Sequence, residues 1–447
     1  MACFSGNGEI REVKVEVRPC GMPGKYIHQR GIVAMDGLSF FGSPTLQNEI
    51  TLLLCCAQTR LGKHTTEKIN SLVQKEIDWG SVINTAMIHR VMPLLFRSLT
   101  LVCPDQVPED CLDTLRGHYL QNTGSNLART TRLLELLALF NDHQITAIPF
   151  KGPVLAESAY GDLSLRQFSD LDILIDRAHV ADAYQLLLLQ GYQPEVRLDA
   201  AQIKKFIRTE YSLALFRRDR LMTVELHWEI TGRYTCYSFD LDHFGGRFNT
   251  LTLSGKQIRQ FPPEDMLVYL CIHGSKDGWV FLDSICCVNE LIRSHRHLDW
   301  ARVNHLVTKI HCRRMVALGF FLSHRLLGTN LPDHILEKIT SDSMIKKLAR
   351  PIITSLFIWP KNLGTPTNAN FSMFHLAIRD RFADQLRHLT GLAFLPSKRD
   401  WIAFSLPARY SFLRYPLRPM RLAWAFGTTL IAKFFSRRLK LTTGHLK

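Results

Sequence analysis

Two carboxylates set two residues apart, Asp170 and Asp172, are the side chains whose type and spacing could do chemistry. Ile173, Leu174 and Ile175 follow them, and an acidic-apolar-acidic-apolar run has the period-2 pattern of a β-strand. Side chains at i and i+2 leave a strand on one face, about 6–7 Å apart. Held that way, two carboxylates can share a divalent ion, or grip two ions about 3.5–4 Å apart, as phosphoryl-transfer sites do. A solvated strand edge is the other reading of Asp-x-Asp taken alone. The residues that must position the pair lie just upstream. Residues 145–150 read as a strand and Lys151-Gly152-Pro153 as a sharp turn. Pro153 suits the first helical position, where its missing amide would go unpaired. The segment reads strand, glycine turn, helix, loop, acidic strand.

That order resembles the nucleotidyltransferase superfamily typified by DNA polymerase β. More narrowly, the chain resembles the bacterial group labelled only "nucleotidyltransferase family protein". The matching pieces are Lys151-Gly152, Tyr160-Gly161-Asp162, Arg166, Asp170-Leu171-Asp172, Gly191-Tyr192 and Leu226-His227-Trp228. Outside this core, Ile77-Asp78-Trp79, residues 89–94, His273, Trp279 and residues 418–422 match as well. The resemblance runs from about residue 45 to about residue 427. It is specific for a family and not for a substrate.

The fold expected is α+β, a small mixed-sheet nucleotidyltransferase core flanked by helical regions. The expected divisions are a leader over 1–44, an N-terminal helical region over 45–143 and a catalytic core over 144–260. A C-terminal helical domain over 261–400 and a basic, apolar tail helix over 401–447 follow. Translation is expected to start at Met35, which an intact mass would check.

Hydrophobic residues make up 46% and charged residues 21%, a globular composition, and 447 residues exceed one ordinary core. A net charge of +15 predicts attraction to polyanions without choosing among nucleotides, nucleic acid and anionic membrane. The eleven cysteines include no CxxC pair; Cys55-Cys56 and Cys286-Cys287 read as buried thiols of a reducing compartment, and no zinc site follows from them. No apolar run reaches the roughly eighteen residues that suggest a transmembrane helix. The expected location is cytoplasmic, with membrane association as a further option.

Residues 48–61 carry apolar side chains at helical spacing, and Asp78 is a plausible cap for a helix over 79–99 interrupted near Pro93. Residues 127–140 read as an amphipathic helix. His89-Arg90 reads as a capped surface pair or as a functional one. In the core, residues 178–190 form a helix and Gly191 suits a left-handed cap. Residues 211–216 are a strand, 217–220 a turn, and 221–230 the partner strand. Its alternation puts Met222, Val224, Leu226 and Trp228 on one face, and Thr223, Glu225, His227 and Glu229 on the other.

The resemblance assigns roles. Asp170 and Asp172 bind Mg²⁺ or Mn²⁺, hard cations suited by oxygen ligands. Glu225 stands where relatives mostly carry a third carboxylate, an Asp; its extra methylene shifts the geometry. Lys151, the Gly152 amide and Arg166 face the phosphates of an NTP, with ATP the expected donor. A nucleoside monophosphate passes to a hydroxyl of a small molecule, sugar, peptide or protein, and pyrophosphate leaves. His227 either orients the acceptor or is a hydrogen-bonded strand histidine. His273, Lys276 and Trp279 roof the nucleotide, with Trp279 stacking on the base or, alternatively, anchoring a helix that runs to residue 292. At Cys287 the family more often shows an acid, and its absence either weakens an interaction with a basic group of the C-terminal helical domain or alters acceptor binding. The other functional class is a non-catalytic nucleotide-binding or scaffold protein.

Asp78-Trp79, Asp299-Trp300 and Asp400-Trp401 read as recurrent caps with an anchoring indole, and residues 360–370 as a loop. From Arg409 onward there are nine basic residues and no acid. Together with the apolar stretch 422–435 they suit an anionic membrane interface or a helix packed on the preceding domain. Nucleic acid ranks below both, because no aromatic-interleaved groove or recognition motif supports it, although the charge admits it.

Overall fold

The structure, a computed structural model, describes residues 44–217, 222–232, 240–357 and 373–424. The expected Met35 start, the turn at 218–220, the loop at 360–370 and the tail beyond residue 424 lie outside these residues.

Four helices open the described chain: α1 (Pro44–Cys56), α2 (Lys63–Val73), α3 (Trp79–Ile88) and α4 (Met92–Val102). Asp78 caps α3 by accepting from the Ser81 amide at 3.0 Å. The interruption expected near Pro93 falls earlier, at 89–91, where Arg90 takes a φ of 59°. Pro93 lies in the first turn of α4, where a proline costs no hydrogen bond. The amphipathic stretch at 127–140 is the C-terminal part of the 34-residue α5 (Glu109–Asp142).

The sheet then forms from β1 (Ala147–Pro149), β2 (Asp170–Ile175), β3 (Tyr192–Pro194), β4 (Ser212–Arg217) and β5 (Thr223–His227). Between them run α6 (Gly152–Leu155), α7 (Val180–Leu189) and α8 (Ala200–Thr209). Gly191 closes α7 with a φ of 80°, the left-handed conformation glycine adopts without a Cβ clash. The spatial order is β1-β2-β5-β4-β3, with β2 and β5 parallel and the other pairs antiparallel. This is the small mixed sheet of an α+β fold.

Strand alternation divides the sheet's two faces. Leu171, Ile173, Ile175, Val224, Leu226 and Trp228 point into a core shared with α5, α7 and α8. Asp170, Asp172, Glu225 and His227 therefore share the opposite face. A short α9 (Leu241–Phe244) and the hairpin β6 (Asn249–Leu253) and β7 (Lys256–Gln260) lead to helices that cover that face. These are α10 (Pro263–Lys276), α11 (Leu282–Ser294), α12 (Trp300–Lys309), α13 (Arg313–Leu327), α14 (Asp333–Ser341) and α15 (Ser343–Leu356). They pack with α1–α4 into a second core that also takes Phe150 and Leu174 from the sheet.

Trp279 belongs to that second core. It is 0% exposed and precedes α11, which starts at Leu282 rather than at the indole. Its ring lies against Gly274 and Gly319, where an added Cβ would come within 2.5 Å and 3.0 Å of the ring. No face is left for a base to stack on, so the anchoring reading of this residue stands.

The described residues end with α16 (Met373–Ala377), α17 (Phe382–Phe394), α18 (Lys398–Ala403) and helical residues at 414–424, labelled α19. Asp299 caps α12 as expected. Asp400 does not cap α18. Ser397 is the cap, and Asp400 is the reciprocal partner three residues on. Among the described residues, no helix is long and apolar enough to cross a membrane.

Candidate active site

The geometry begins with strand register. Asp172 of β2 lies opposite Glu225 of β5, and Leu174 opposite His227. Parallel neighbours in register point their side chains the same way, so Asp172, Glu225 and His227 converge. One ligand atom from each lies within 4.8 Å of the others. The Asp172 side chain is fully buried and the Glu225 side chain 24% exposed. His227 Nε2 donates to Asp172 Oδ1 at 3.1 Å and lies 3.5 Å from Glu225 Oε2.

Lys151 reaches in from the turn after β1. Its Nζ donates to Asp172 Oδ1 at 3.3 Å and to His273 Nε2 on α10 at 3.2 Å. His273 Nδ1 lies 3.4 Å from Asp277 Oδ2, which fixes the tautomer that accepts from the lysine. Burial is the largest influence and opposes the ammonium of Lys151, but Asp172, Tyr269 and Asp170 together outweigh it and hold the lysine charged, well above its ordinary pKa. Burial and Lys151 push His273 down to about 3, so it is neutral. Burial alone would raise Asp172; Lys151 and His227 hold it below the usual carboxylate range. Burial disfavours the imidazolium of His227, yet Glu225 and Asp172 raise its pKa.

Gly152 follows with a φ of 51°. A Cβ there would approach the Asp170 carbonyl oxygen to 3.1 Å, so the turn presses backbone against the start of the acidic strand. Asp170 lies beside the three-residue group and is not part of it. The charge of Asp172, then burial, raises its pKa, while Lys151 and Arg166 lower it.

Arg166 projects from the loop between α6 and β2. Its Nη1 donates to the Gly152 carbonyl at 3.4 Å and its Nε to Cys287 Sγ at 3.4 Å. The basic group facing Cys287 therefore comes from the loop before β2 and not from the C-terminal helices. Tyr160 also meets that sulfur, at 3.4 Å. The loop is fastened by α5: Asn126 Nδ2 donates to the carbonyls of Leu163 and Arg166, both at 2.7 Å, and Asn122 Nδ2 to that of Ser164 at 2.8 Å.

His89 is buried in the helical core, where its Nδ1 accepts from the Leu282 amide at 3.2 Å. Two residues that sequence reasoning passed over lie at the site. Tyr269 of α10 is buried beside Lys151. Lys398 of α18 places Nζ 3.4 Å from Glu225 Oε1. A Ser-x-x-Asp capping signal at 397–400 marks where that helix starts, but nothing in its spacing points to a glutamate 173 residues earlier.

A divalent cation fits this donor set. Asp172 Oδ2 is buried with no hydrogen-bond partner among the described residues, and it belongs to a carboxylate facing a second one. Oxygen donors so placed suit magnesium or manganese.

The profile of a family described as "Uncharacterised nucleotidyltransferase" matches residues 75–328. No curated protein matches the chain. Two solved structures are similar in part. One is the lincosamide antibiotic adenylyltransferase LnuA bound to lincomycin, at 18% identity and a TM-score of 0.24, covering 31% of this chain and 83% of that one. The other is an antigenic nucleotidyltransferase-like protein from Paracoccidioides brasiliensis, at 17% identity and a TM-score of 0.26, covering 46% of this chain and 96% of that one.

Proposed function

The chain belongs to the uncharacterised nucleotidyltransferase family, and from that premise we propose that it moves a nucleoside monophosphate from an NTP, with ATP the expected donor, to a hydroxyl acceptor. The acceptor oxygen bonds to the α-phosphorus, the bond from that phosphorus to the bridging oxygen breaks, and pyrophosphate leaves. The observation that carries this reading is the register of Asp172 with Glu225, with His227 within the same 4.8 Å group and Asp172 Oδ2 left unpartnered.

Asp172 and Glu225, with Asp170 alongside, would hold Mg²⁺ or Mn²⁺. That cation supplies charge neutralisation for the triphosphate and the developing transition state. Lys151, held charged against Asp172, offers a fixed cation for phosphate. Gly152 keeps the backbone close to the acidic strand. Arg166 meets a thiol rather than an acid at Cys287, which leaves its guanidinium charge available to a phosphate oxygen. Glu225 would complete the cation site and, as a carboxylate beside the acceptor, would draw its proton. His227 orients both carboxylates from below. Positioning and electrostatics carry most of the rate in such a site.

The test is a thermal shift with ATP, GTP, CTP and UTP plus Mg²⁺, followed by pyrophosphate release. The expected result is a magnesium-dependent shift with one nucleotide, lost in Asp170→Ala/Asp172→Ala, and turnover reduced at least about a thousandfold in that variant. Absence of any nucleotide shift sinks the reading. Binding without turnover would support the second reading, a non-catalytic nucleotide-binding or scaffold protein peripheral to the membrane. One observation favours it: Lys151, His227 and Lys398 already balance the charges of Asp172 and Glu225.

A further inference from the structure

The family profile ends at residue 328, yet a side chain seventy residues further on touches the third carboxylate. Glu225 is held by its two oxygens differently. Oε1 accepts from Ser212 Oγ at 2.6 Å and faces Lys398 Nζ at 3.4 Å. Oε2 turns toward His227 at 3.5 Å, into the group that would take a cation. Lys398 Nζ also lies 3.4 Å from Glu195 Oε2, so it joins an acid within β5 to one just past β3. Its side chain is 22% exposed.

The segment that carries Lys398 is fastened within itself, to α17 and to α8. Asp400 is fully buried and accepts from Arg418 Nη1 at 2.5 Å and Arg421 Nε at 2.6 Å, besides the Ser397 amide at 2.8 Å. Arg418 Nε donates to the Leu392 carbonyl at 2.8 Å, fixing the end of α17. Trp401 lies in the core beneath the sheet, with Nε1 donating to Thr209 Oγ1 at 3.2 Å. The Arg414 guanidinium stacks 3.7 Å above its ring. Buried ion pairs of this kind cost desolvation and fix geometry more than they stabilise. Here the geometry they fix is that of the residue two positions before Asp400.

We propose that Lys398 is a positioning residue for Glu225, and that the C-terminal segment 397–421 is thereby a working part of the active site. With Ser212 it pins Oε1, so that Oε2 alone is presented to a cation. Without it, Glu225 would face Glu195 and the buried Glu210 with no lysine between them. The inference rests on the metal reading given above and deepens it.

The experiment is Mn²⁺ binding by the full chain, followed by electron paramagnetic resonance and calorimetry, in wild type, Glu225→Gln, Lys398→Met and Lys398→Arg. Outer-shell partners of metal ligands are typically worth about 10–100-fold in affinity. Lys398→Met is expected to weaken Mn²⁺ binding about tenfold or more, with its melting temperature little changed, and Lys398→Arg to restore most of the loss. The sign is decisive. Removing a nearby positive charge would by itself tighten cation binding, so Mn²⁺ affinity that is unchanged or raised in Lys398→Met overturns the proposal. Should Lys398→Met melt below the assay temperature, Lys398→Gln set against Lys398→Arg carries the same comparison. A wild type that binds no Mn²⁺, or binds it equally after Glu225→Gln, overturns the metal reading itself and this proposal with it.

Discussion

On its N-terminal side the acidic face of the sheet is fastened by neutral groups, and on its C-terminal side by charges. Helix α5 clamps the loop before β2 through two amides, Asn122 and Asn126, and every acceptor is a backbone carbonyl. Segment 397–421 instead brings Lys398, Asp400, Arg414, Arg418 and Arg421, and its contacts are mostly ionic. A neutral clamp on backbone sets where a loop runs at any pH. An ionic clamp on a side chain sets how a carboxylate points and responds to protons. The two flanks should therefore fail differently when cut.

The largest effect is expected at Asn126, which is 0% exposed. Asn126→Ala strips the part-buried Leu163 carbonyl of its donor and leaves that of Arg166 only the longer bond from Asn122 at 3.4 Å, and a buried group left unsatisfied costs about 1–3 kcal/mol. Urea denaturation should show a loss of about 1–3 kcal/mol. Activity should fall with it, because Arg166 loses its anchor. A variant as stable as wild type would break the contrast, since Lys398→Met is the change expected to spare stability. Gly152→Ala comes next. A left-handed non-glycine residue costs about 1–2 kcal/mol, and the new Cβ would press on the Asp170 carbonyl. Turnover is expected to fall at least about tenfold for each 1.4 kcal/mol of lost transition-state stabilisation. Full kcat in that variant would show that the close approach at Gly152 does not position Asp170.

How much of this was legible in the sequence follows range. Signals spanning a few residues read correctly: the acidic strand, Asp78 and Asp299 as caps, Gly191 as a left-handed stop, and the alternation that separates Glu225 and His227 from Leu226 and Trp228. Signals that depend on what packs opposite did not. Trp279 offered base stacking or anchoring, with anchoring the favoured reading, and the bare Cα atoms of Gly274 and Gly319 decide it, one of them forty residues away. Asp400 resembled the caps at Asp78 and Asp299, but Ser397 three residues earlier takes that role and frees the carboxylate for Arg418 and Arg421. Lys398 carries no local mark at all, because its partner is set by strand order and by where α18 lands. The place of Cys287 opposite Arg166 was hidden for the same reason.

The smallest expected effect tests the ionic flank by pH. Glu210 begins at the edge of β4 and is buried, with Oε1 unpartnered among the described residues. Burial pushes its carboxyl up to about 8, only partly offset by Lys398 and Arg418. An unfolded glutamate titrates near 4.5, so between about pH 4.5 and 8 the folded chain keeps a proton that the unfolded chain has released. Stability must then fall as pH rises through that window, because the folded state binds more protons there. Glu210→Gln carries no such proton. Its melting temperature should match wild type near pH 5 and exceed it increasingly toward pH 8. Parallel curves across that range would mean that Glu210 is ionised in the folded chain and that the charges around Lys398 are better balanced than their geometry implies. The same scan on Asn126→Ala should run parallel to wild type, displaced downward, since the Asn126 amide and the carbonyls it holds do not titrate.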